Sequence, residues 1–145
     1  MPSNLKTVLV VDDKERIRIE ISLLLAEFGY SVRCAVDGYS ALREIQQENP
    51  DILLSDLSMP GMSGFELLMN VRRLFPVIKV VAMSGSFSSN DVPTGVLADA
   101  FYPKGASVST LVQILRELPR LNHRAPKSLN TGQSELRRTE YRSEC

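Results

Sequence analysis

Three aspartates stand at positions where a buried strand would end. Asp12 and Asp13 directly follow the apolar run 8–11, and Asp56 follows the run 52–55. If the two strands are neighbours, carboxylates about 5 Å apart repel each other by roughly 3 kcal/mol per pair at an effective dielectric of about 20. Such a cluster must take up protons or bind a cation, and oxygen ligands favour Mg²⁺, with Mn²⁺ as a second possibility. The pattern therefore predicts a divalent-cation site.

The first two aspartates also have a simpler interpretation. Aspartate is common at the start of a helix, where its carboxylate accepts a hydrogen bond from a free backbone N–H. For Asp12 and Asp13 alone, the two interpretations stay open; the position of Asp56 favours the cation site.

A hydroxyl and an ammonium follow two later apolar runs. Ser84 comes after the run 78–83, and Lys104 comes after the run 100–103. Alone, Ser84 would be a turn residue and Lys104 a surface charge. Beside a carboxylate and a metal ion, they are the donors that the oxygens of a phosphoryl group require.

Apolar runs and helical stripes alternate along the chain. Strands are predicted at 8–11, 30–36, 52–55, 78–83 and 100–103, and helices at 14–28, 39–48, 64–75 and 107–118. In the first helix, the stripe expected to face the core ends at Phe28. Short, continuously apolar strands are typical of a parallel sheet that is buried on both faces. Five of them suit a doubly wound α/β fold with strand order 2-1-3-4-5, in which ligands bind beyond the carboxyl ends of the first and third strands.

Composition limits the domain organisation and the partners. The chain of 145 residues has 43% hydrophobic residues and no net charge, so neither nucleic acid nor a membrane is an expected partner. One domain is predicted over 5–118, with 11 Lys and Arg against 14 Asp and Glu over 1–118. Residues 119–145 carry 6 Lys and Arg against 3 Asp and Glu, and they have few apolar side chains. This composition predicts a basic, disordered tail.

The cysteines and the N-terminus bear on the compartment. Cys34 and Cys145 have no metal-ligand spacing, and two lone cysteines do not make a disulfide framework. The first residues contain no long apolar segment. The expectation is therefore a cytoplasmic protein in a reducing environment. The one histidine, His123, is expected to be a solvated tail residue.

Four motifs, in this order, resemble the receiver domain of bacterial two-component response regulators. They are Val-Leu-Val-Val-Asp-Asp at 8–13, Asp-Leu-Ser-Met-Pro-Gly-Met-Ser-Gly at 56–64, Met-Ser-Gly at 83–85 and Phe-Tyr-Pro-Lys at 101–104. The resemblance implies a flavodoxin-like receiver fold over residues 5–118. It also implies a stand-alone phosphoacceptor module of a two-component phosphorelay.

The resemblance assigns roles at the acidic cluster. By it, Asp56 is the phosphoacceptor. Mg²⁺ would be held by Asp12, Asp13, Asp56 and the main-chain carbonyl of Ser58. The phosphoryl donor would be a histidine kinase or a phosphotransfer protein, and a downstream protein of unknown identity would receive the signal.

The resemblance also implies a switch. Ser84 and Lys104 would contact the phosphoryl oxygens, and Phe101 would change rotamer together with Ser84. Tyr102 stands beside Phe101, so the alternative that both are ordinary core aromatics stays open. The segment 85–98 is rich in Ser and contains Pro and Gly, which predicts a poor helix.

Other function classes compete with this one. A receiver-shaped scaffold without phosphorylation would need none of the acidic residues. A phosphotransferase of the haloacid-dehalogenase type needs two aspartates spaced by two on the first strand, but here they are adjacent. A nucleotide-binding domain needs a Gly-rich loop after that strand, which is absent. The expectation is therefore no enzymatic activity beyond forming and hydrolysing the aspartyl phosphate.

Overall fold

Five parallel strands form the centre of the molecule. The structure is a computed structural model that describes residues 5–85, 98–121 and 145. The strands are β1 (Thr7–Val11), β2 (Ser31–Ala35), β3 (Ile52–Asp56), β4 (Lys79–Ser84) and β5 (Ala100–Pro103). Their order in the sheet is β2-β1-β3-β4-β5, which confirms the predicted topology.

Four helices are described, close to the predicted positions. They are α1 (Glu15–Glu27), α2 (Gly38–Gln47), α3 (Gly64–Leu74) and α4 (Val108–Leu121). The last helix continues three residues beyond its predicted end at 118, through Pro119. A proline removes one backbone hydrogen bond and crowds the carbonyl four residues earlier, and here both costs fall on a single turn at the end of the helix. The predictions for 86–97 and 122–144, which include most of the proposed tail and His123, lie outside the described residues.

The core consists of two apolar layers, one on each face of the sheet. One layer contains Val8, Val10 and Leu54 from the strands, with Leu25 of α1 and Leu111 of α4. The other layer contains the alternate strand residues and the buried faces of α2 and α3, including Leu9, Leu53, Ile45, Leu67 and Val71. Since side chains alternate between the faces of a strand, this division confirms a sheet that is covered on both sides.

One predicted core position in α1 is wrong. Phe28 was expected on the buried stripe, but it is 45% exposed and the guanidinium of Arg116 lies 6.0 Å from the centre of its ring. The helix ends at Glu27, so Phe28 leaves the helical spiral and no longer follows the stripe. Ser22, which no apolar pattern would select, is buried instead and donates a hydrogen bond to the carbonyl of Ile19.

The cysteines also differ from expectation. Cys34 and Cys145 are joined by a disulfide, although 111 residues separate them in the sequence. Their spacing could not reveal this pairing, because it depends on where residue 145 lies against the folded body. Among the described helices, none is both long and apolar enough to cross a membrane.

Candidate functional site

The pairing of β1 with β3 brings the three aspartates together. Val11 lies opposite Ser55, so Asp12 and Asp56 leave adjacent strands at the same edge of the sheet. Carboxylate oxygens of Asp12, Asp13 and Asp56 lie within 4.8 Å of one another. The acidic cluster that the sequence predicted is therefore present.

Asp12 is fully buried and has two roles. Its Oδ1 accepts a hydrogen bond from the backbone N–H of Lys14 at 2.9 Å, which helps α1 to begin. Its Oδ2 is buried, and its partner among the described residues is the ammonium of Lys104, 2.8 Å away. The helix-start interpretation thus accounts for one oxygen of Asp12 and leaves the other directed into the cluster.

The backbone of Asp12 is held on two sides. Its N–H donates to the carbonyl of Ala35 at 3.3 Å, and its carbonyl accepts from the guanidinium of Arg18 at 2.9 Å. Arg18 therefore supports the site from α1. No sequence pattern singles out this residue, because a single arginine in a helix does not reveal which carbonyl it reaches.

Asp13 and Asp56 differ in their access to solvent. Asp13 is exposed, and the ammonium of Lys14 lies 3.9 Å from its carboxylate. Asp56 is 2% exposed, and its Oδ1 accepts a hydrogen bond from the backbone N–H of Ser58 at 3.3 Å. Burial and the neighbouring charge of Asp12 raise the pKa of Asp56, although Lys104 and Ser58 act in the opposite direction.

Lys104 lies between the two buried carboxylates. Its Nζ is 2.8 Å from Oδ2 of Asp12 and 3.4 Å from Oδ2 of Asp56. Its backbone N–H donates to the carbonyl of Ser84 at 3.0 Å, which aligns the ends of β4 and β5. Burial alone would lower the pKa of Lys104, but the ion pairs with Asp12 and Asp56 outweigh it and raise that pKa.

A divalent cation fits this set of groups. The donors are all oxygens, the two buried carboxylates share a single lysine between them, and the third carboxylate is open to solvent. Mg²⁺ prefers oxygen ligands and keeps several waters, so a half-open acidic site suits it. The carbonyl of Ser58 as a further ligand stays a prediction.

Ser84 and Phe101 lie on the same face of the sheet. Phe101 pairs with Ala82 in β4, and both contact the apolar layer beneath α2 and α3. Ser84 is two residues after Ala82, so it points to that face as well, and it is 1% exposed. Tyr102 lies on the opposite face, where its hydroxyl donates to the carbonyl of Ala106 at 2.7 Å. This arrangement favours Phe101 over Tyr102 as the neighbour of Ser84.

The loop from β3 to α3 packs tightly beneath Asp56. Ser63 and Glu66 form a reciprocal capping box that begins α3 at Gly64. A Cβ on Gly64 would overlap the carbonyl oxygen of Asp56 and lie 2.5 Å from the Cα of Leu57. Gly64 belongs to the motif at 56–64, but only the folded loop explains why a glycine is needed there.

Comparison with known proteins decides the family. The sequence profile of the response regulator receiver domain matches residues 8–116. The chain belongs to the response regulator receiver family. Proteins of this family are phosphoacceptors rather than enzymes in the usual sense.

Individual receiver proteins agree with this assignment. The response regulator GacA of Pseudomonas viridiflava is 36% identical over 114 residues, which cover 75% of this chain and 53% of GacA. The chain thus spans about half the length of the curated relatives that it matches. The chemotaxis response regulator CheY4 of Vibrio cholerae is 30% identical with a TM-score of 0.74, covering 79% of this chain and 99% of CheY4.

A third receiver, TrrA of Thermotoga maritima, has been solved in two complexes. It is 29% identical to this chain with a TM-score of 0.73, and the match covers 79% of this chain and 99% of TrrA. One TrrA structure is a complex with Mg²⁺ and BeF. The other is a complex with the histidine kinase ThkA.

Proposed function

We propose that this receiver domain accepts a phosphoryl group on Asp56 with the help of Mg²⁺. The observation that carries the proposal is the position of Lys104, whose ammonium lies 2.8 Å from Asp12 and 3.4 Å from Asp56. In this proposal a nucleophilic carboxylate, a partly buried cation and an acidic cluster suited to a metal ion share one pocket. All three are needed to place a phosphoryl dianion beside carboxylates.

The proposed step is a phosphoryl transfer between two nucleophiles. A carboxylate oxygen of Asp56 forms a bond to phosphorus while the P–N bond of a phosphohistidine breaks, and the leaving imidazole takes up a proton. Asp12, Asp13, Asp56 and the carbonyl of Ser58 would hold Mg²⁺, or Mn²⁺ in its place. The bound ion would neutralise charge on the transferred group and favour the ionised form of Asp56.

Lys104 and Ser84 act on the phosphoryl oxygens in this proposal. Lys104 already lies next to Asp56, so its ammonium can pair with a phosphoryl oxygen after a small movement away from Asp12. Ser84 is buried at the end of β4, which is the neighbour of β3 in the sheet. The proposed roles of Lys104 and Ser84 therefore rest on their positions at the ends of β5 and β4, at the same edge of the sheet as Asp56.

The switch that we propose involves Ser84 and Phe101. Phosphorylation adds a charge of about −1.5 to −2. The hydroxyl of Ser84 would turn to donate a hydrogen bond to a phosphoryl oxygen. Phe101, which lies on the same face and is only partly buried, would then fill the space behind β4. The two packings need to differ by only a few kcal/mol for phosphorylation to shift the population.

The proposed partners follow from the family. TrrA was crystallised with a histidine kinase, which supports a histidine kinase or a phosphotransfer protein as the donor. A downstream protein would recognise the switched form, and neither nucleic acid nor a membrane is proposed as a partner. We further propose a cytoplasmic location and no catalysis beyond formation and hydrolysis of the aspartyl phosphate.

Labelling by a small phosphodonor tests the proposal. Acetyl [³²P]phosphate with Mg²⁺ should label the chain, and EDTA or the variant Asp56→Asn should abolish the label. The matched control is Asp51→Asn, an identical change at the opposite end of β3 that should leave labelling intact. Hydroxylamine should release the label, as it does from an acyl phosphate. Label that survives in Asp56→Asn and resists hydroxylamine would contradict the proposal. It would assign the phosphorylation site to a hydroxyl such as that of Ser84.

A further inference from the structure

The disulfide between Cys34 and Cys145 lies close to the acidic pocket. The Cα atoms are 5.1 Å apart, a separation at which disulfides form without backbone movement. Cys34 is half-buried in the edge strand β2 and packs against the apolar layer beneath α1, whereas Cys145 is exposed. The described residues contain no free cysteine. The bond is therefore open to solvent on one side and attached to the core on the other.

Each cysteine neighbours a residue that contacts the backbone of Asp12. Cys34 immediately precedes Ala35, whose carbonyl accepts the N–H of Asp12 at 3.3 Å. The Sγ of Cys145 lies 3.9 Å from the carbonyl oxygen of Arg18, a contact and not a hydrogen bond, since a disulfide sulfur carries no proton. The guanidinium of Arg18 in turn donates to the carbonyl of Asp12 at 2.9 Å. The disulfide thus lies beside Ala35 and Arg18, the two residues that hold the backbone of Asp12.

We propose that Cys34 and Cys145 form a reversible redox site that tunes cation binding at the acidic pocket. In the oxidised chain, the bond holds Cys145 at the end of β2 and against the carbonyl of Arg18 in α1, next to both supports of the Asp12 backbone. Reduction releases Cys145 and loosens this support. Because groups around a metal site orient its ligands, the oxidised form should bind Mg²⁺ more tightly. The effect on phosphorylation rests on the function proposed above.

The chemistry is thiol–disulfide exchange with a small-molecule disulfide as oxidant. The thiolate of one cysteine attacks the oxidant and releases one thiol, which leaves a mixed disulfide. The second cysteine displaces the other thiol and closes the Cys34–Cys145 bond. Two protons and two electrons pass from the cysteines to the oxidant. In a reducing compartment, disulfides are usually transient and redox-sensing, which fits a bond to the exposed residue Cys145.

The test compares the full chain after treatment with oxidised glutathione and after treatment with a phosphine reductant. Thiol titration should detect no free thiols in the first sample and two in the second, and peptide mapping should find Cys34 linked to Cys145. Calorimetric titration should then show Mg²⁺ affinity at least about threefold higher in the oxidised chain, a smaller effect than the roughly 10- to 100-fold of removing an outer partner of a metal site. The variant Cys145→Ser should bind Mg²⁺ like the reduced chain under both treatments, and it leaves the half-buried Cys34 in place.

Several results would overturn the proposal. One is a disulfide between two chains in place of the internal link. Another is equal Mg²⁺ affinity in the oxidised and reduced chains once the internal link is established. The labelling assay with acetyl phosphate separates this proposal from the previous one. If neither form is labelled but Mg²⁺ affinity still depends on the disulfide, the phosphoacceptor function is wrong and the redox site stands.

Discussion

The Nζ of Lys104 lies 2.8 Å from Oδ2 of Asp12, a carboxylate that is fully buried. The same ammonium lies 3.4 Å from Oδ2 of Asp56, so one cation offsets two buried negative charges. A divalent ion held by these carboxylates would neutralise the same charge. Lys104 and Mg²⁺ should therefore partly substitute for each other in stabilising the fold.

The variant Lys104→Met tests that substitution. Without metal, it leaves two carboxylates without their shared cation, and we expect the free energy of unfolding to fall by about 2 kcal/mol, less than for a fully buried pair. Urea unfolding in EDTA and in millimolar Mg²⁺ should show that Mg²⁺ restores more than half of this loss. Lys79→Met, which removes a cation at the opposite end of the sheet, should show no such rescue. An equal loss with and without Mg²⁺ in Lys104→Met would contradict the prediction.

The exposed member of the cluster tests the metal site directly. We predict that Mg²⁺ binds the wild-type chain in the millimolar range and that Asp13→Ala weakens binding at least about tenfold, as expected for loss of a charged ligand. Isothermal titration calorimetry measures both affinities. Glu15→Ala, which removes another exposed carboxylate two residues along the chain, is the control and should bind as the wild type does. The idea fails if the wild type shows no binding at these concentrations.

Gly64 tests the packing beneath Asp56. An alanine there would overlap the carbonyl oxygen of Asp56, so the loop must shift, and we expect Gly64→Ala to lower the free energy of unfolding by about 3 kcal/mol. Gly105→Ala is the matched control, because a Cβ at Gly105 meets no atom within 4 Å. Denaturant unfolding of both variants is the measurement. Similar stability of the two variants would mean that the loop adapts without cost.

Asp56 predicts a pH dependence of stability. In the folded protein, the pKa of Asp56 is raised above its ordinary value of 3.8. The native state therefore keeps the carboxyl proton of Asp56 to a higher pH than the unfolded chain does. In that window the free energy of unfolding falls as pH rises, and above it the ionised group destabilises the fold. Asp56→Asn removes one like charge beside Asp12 but also the attraction to Lys104, so we expect a net gain of about 1 kcal/mol at pH 7.

The gain should disappear at low pH. Well below pH 3.8 the carboxyl of Asp56 is protonated in both the folded and unfolded chains, so the wild type and Asp56→Asn should be equally stable. Urea unfolding in EDTA across the acidic range measures this difference. Asp51→Asn is the control that should lack the trend. A gain that stays constant with pH would assign the effect to packing rather than to charge.

Reduction of the disulfide should cost little stability. In the unfolded chain the bond closes a loop across 111 residues, but in the folded chain it still closes a loop of 24 residues after Leu121. If residues 122–144 form no packed structure, as their sequence predicts, the net gain is about 1.4 kcal/mol from the ratio of loop lengths. Unfolding with and without reductant measures it. A much larger loss would show that the segment packs on the body.

Local patterns in the sequence were enough for the architecture. The five apolar runs and the helical stripes between them predicted every described strand and helix within a few residues. They could do so because the apolar residues on a buried strand or helix face recur every few positions along the sequence. The same patterns put Asp12, Asp13, Asp56, Ser84 and Lys104 at the ends of strands. Since the carboxyl ends of parallel strands lie at the same edge of a sheet, the sequence also indicated that these residues would meet there.

The tertiary structure alone decided how the residues at this edge contact each other. It determined that Lys104 pairs with Asp12 more closely than with Asp56, that Arg18 supports the carbonyl of Asp12, and that Phe101 shares a face with Ser84. It also determined the Cys34–Cys145 bond. Most of these contacts join residues far apart in the chain, and even the one between Arg18 and Asp12 depends on how α1 packs against the end of β1, so no local period in the sequence encodes them.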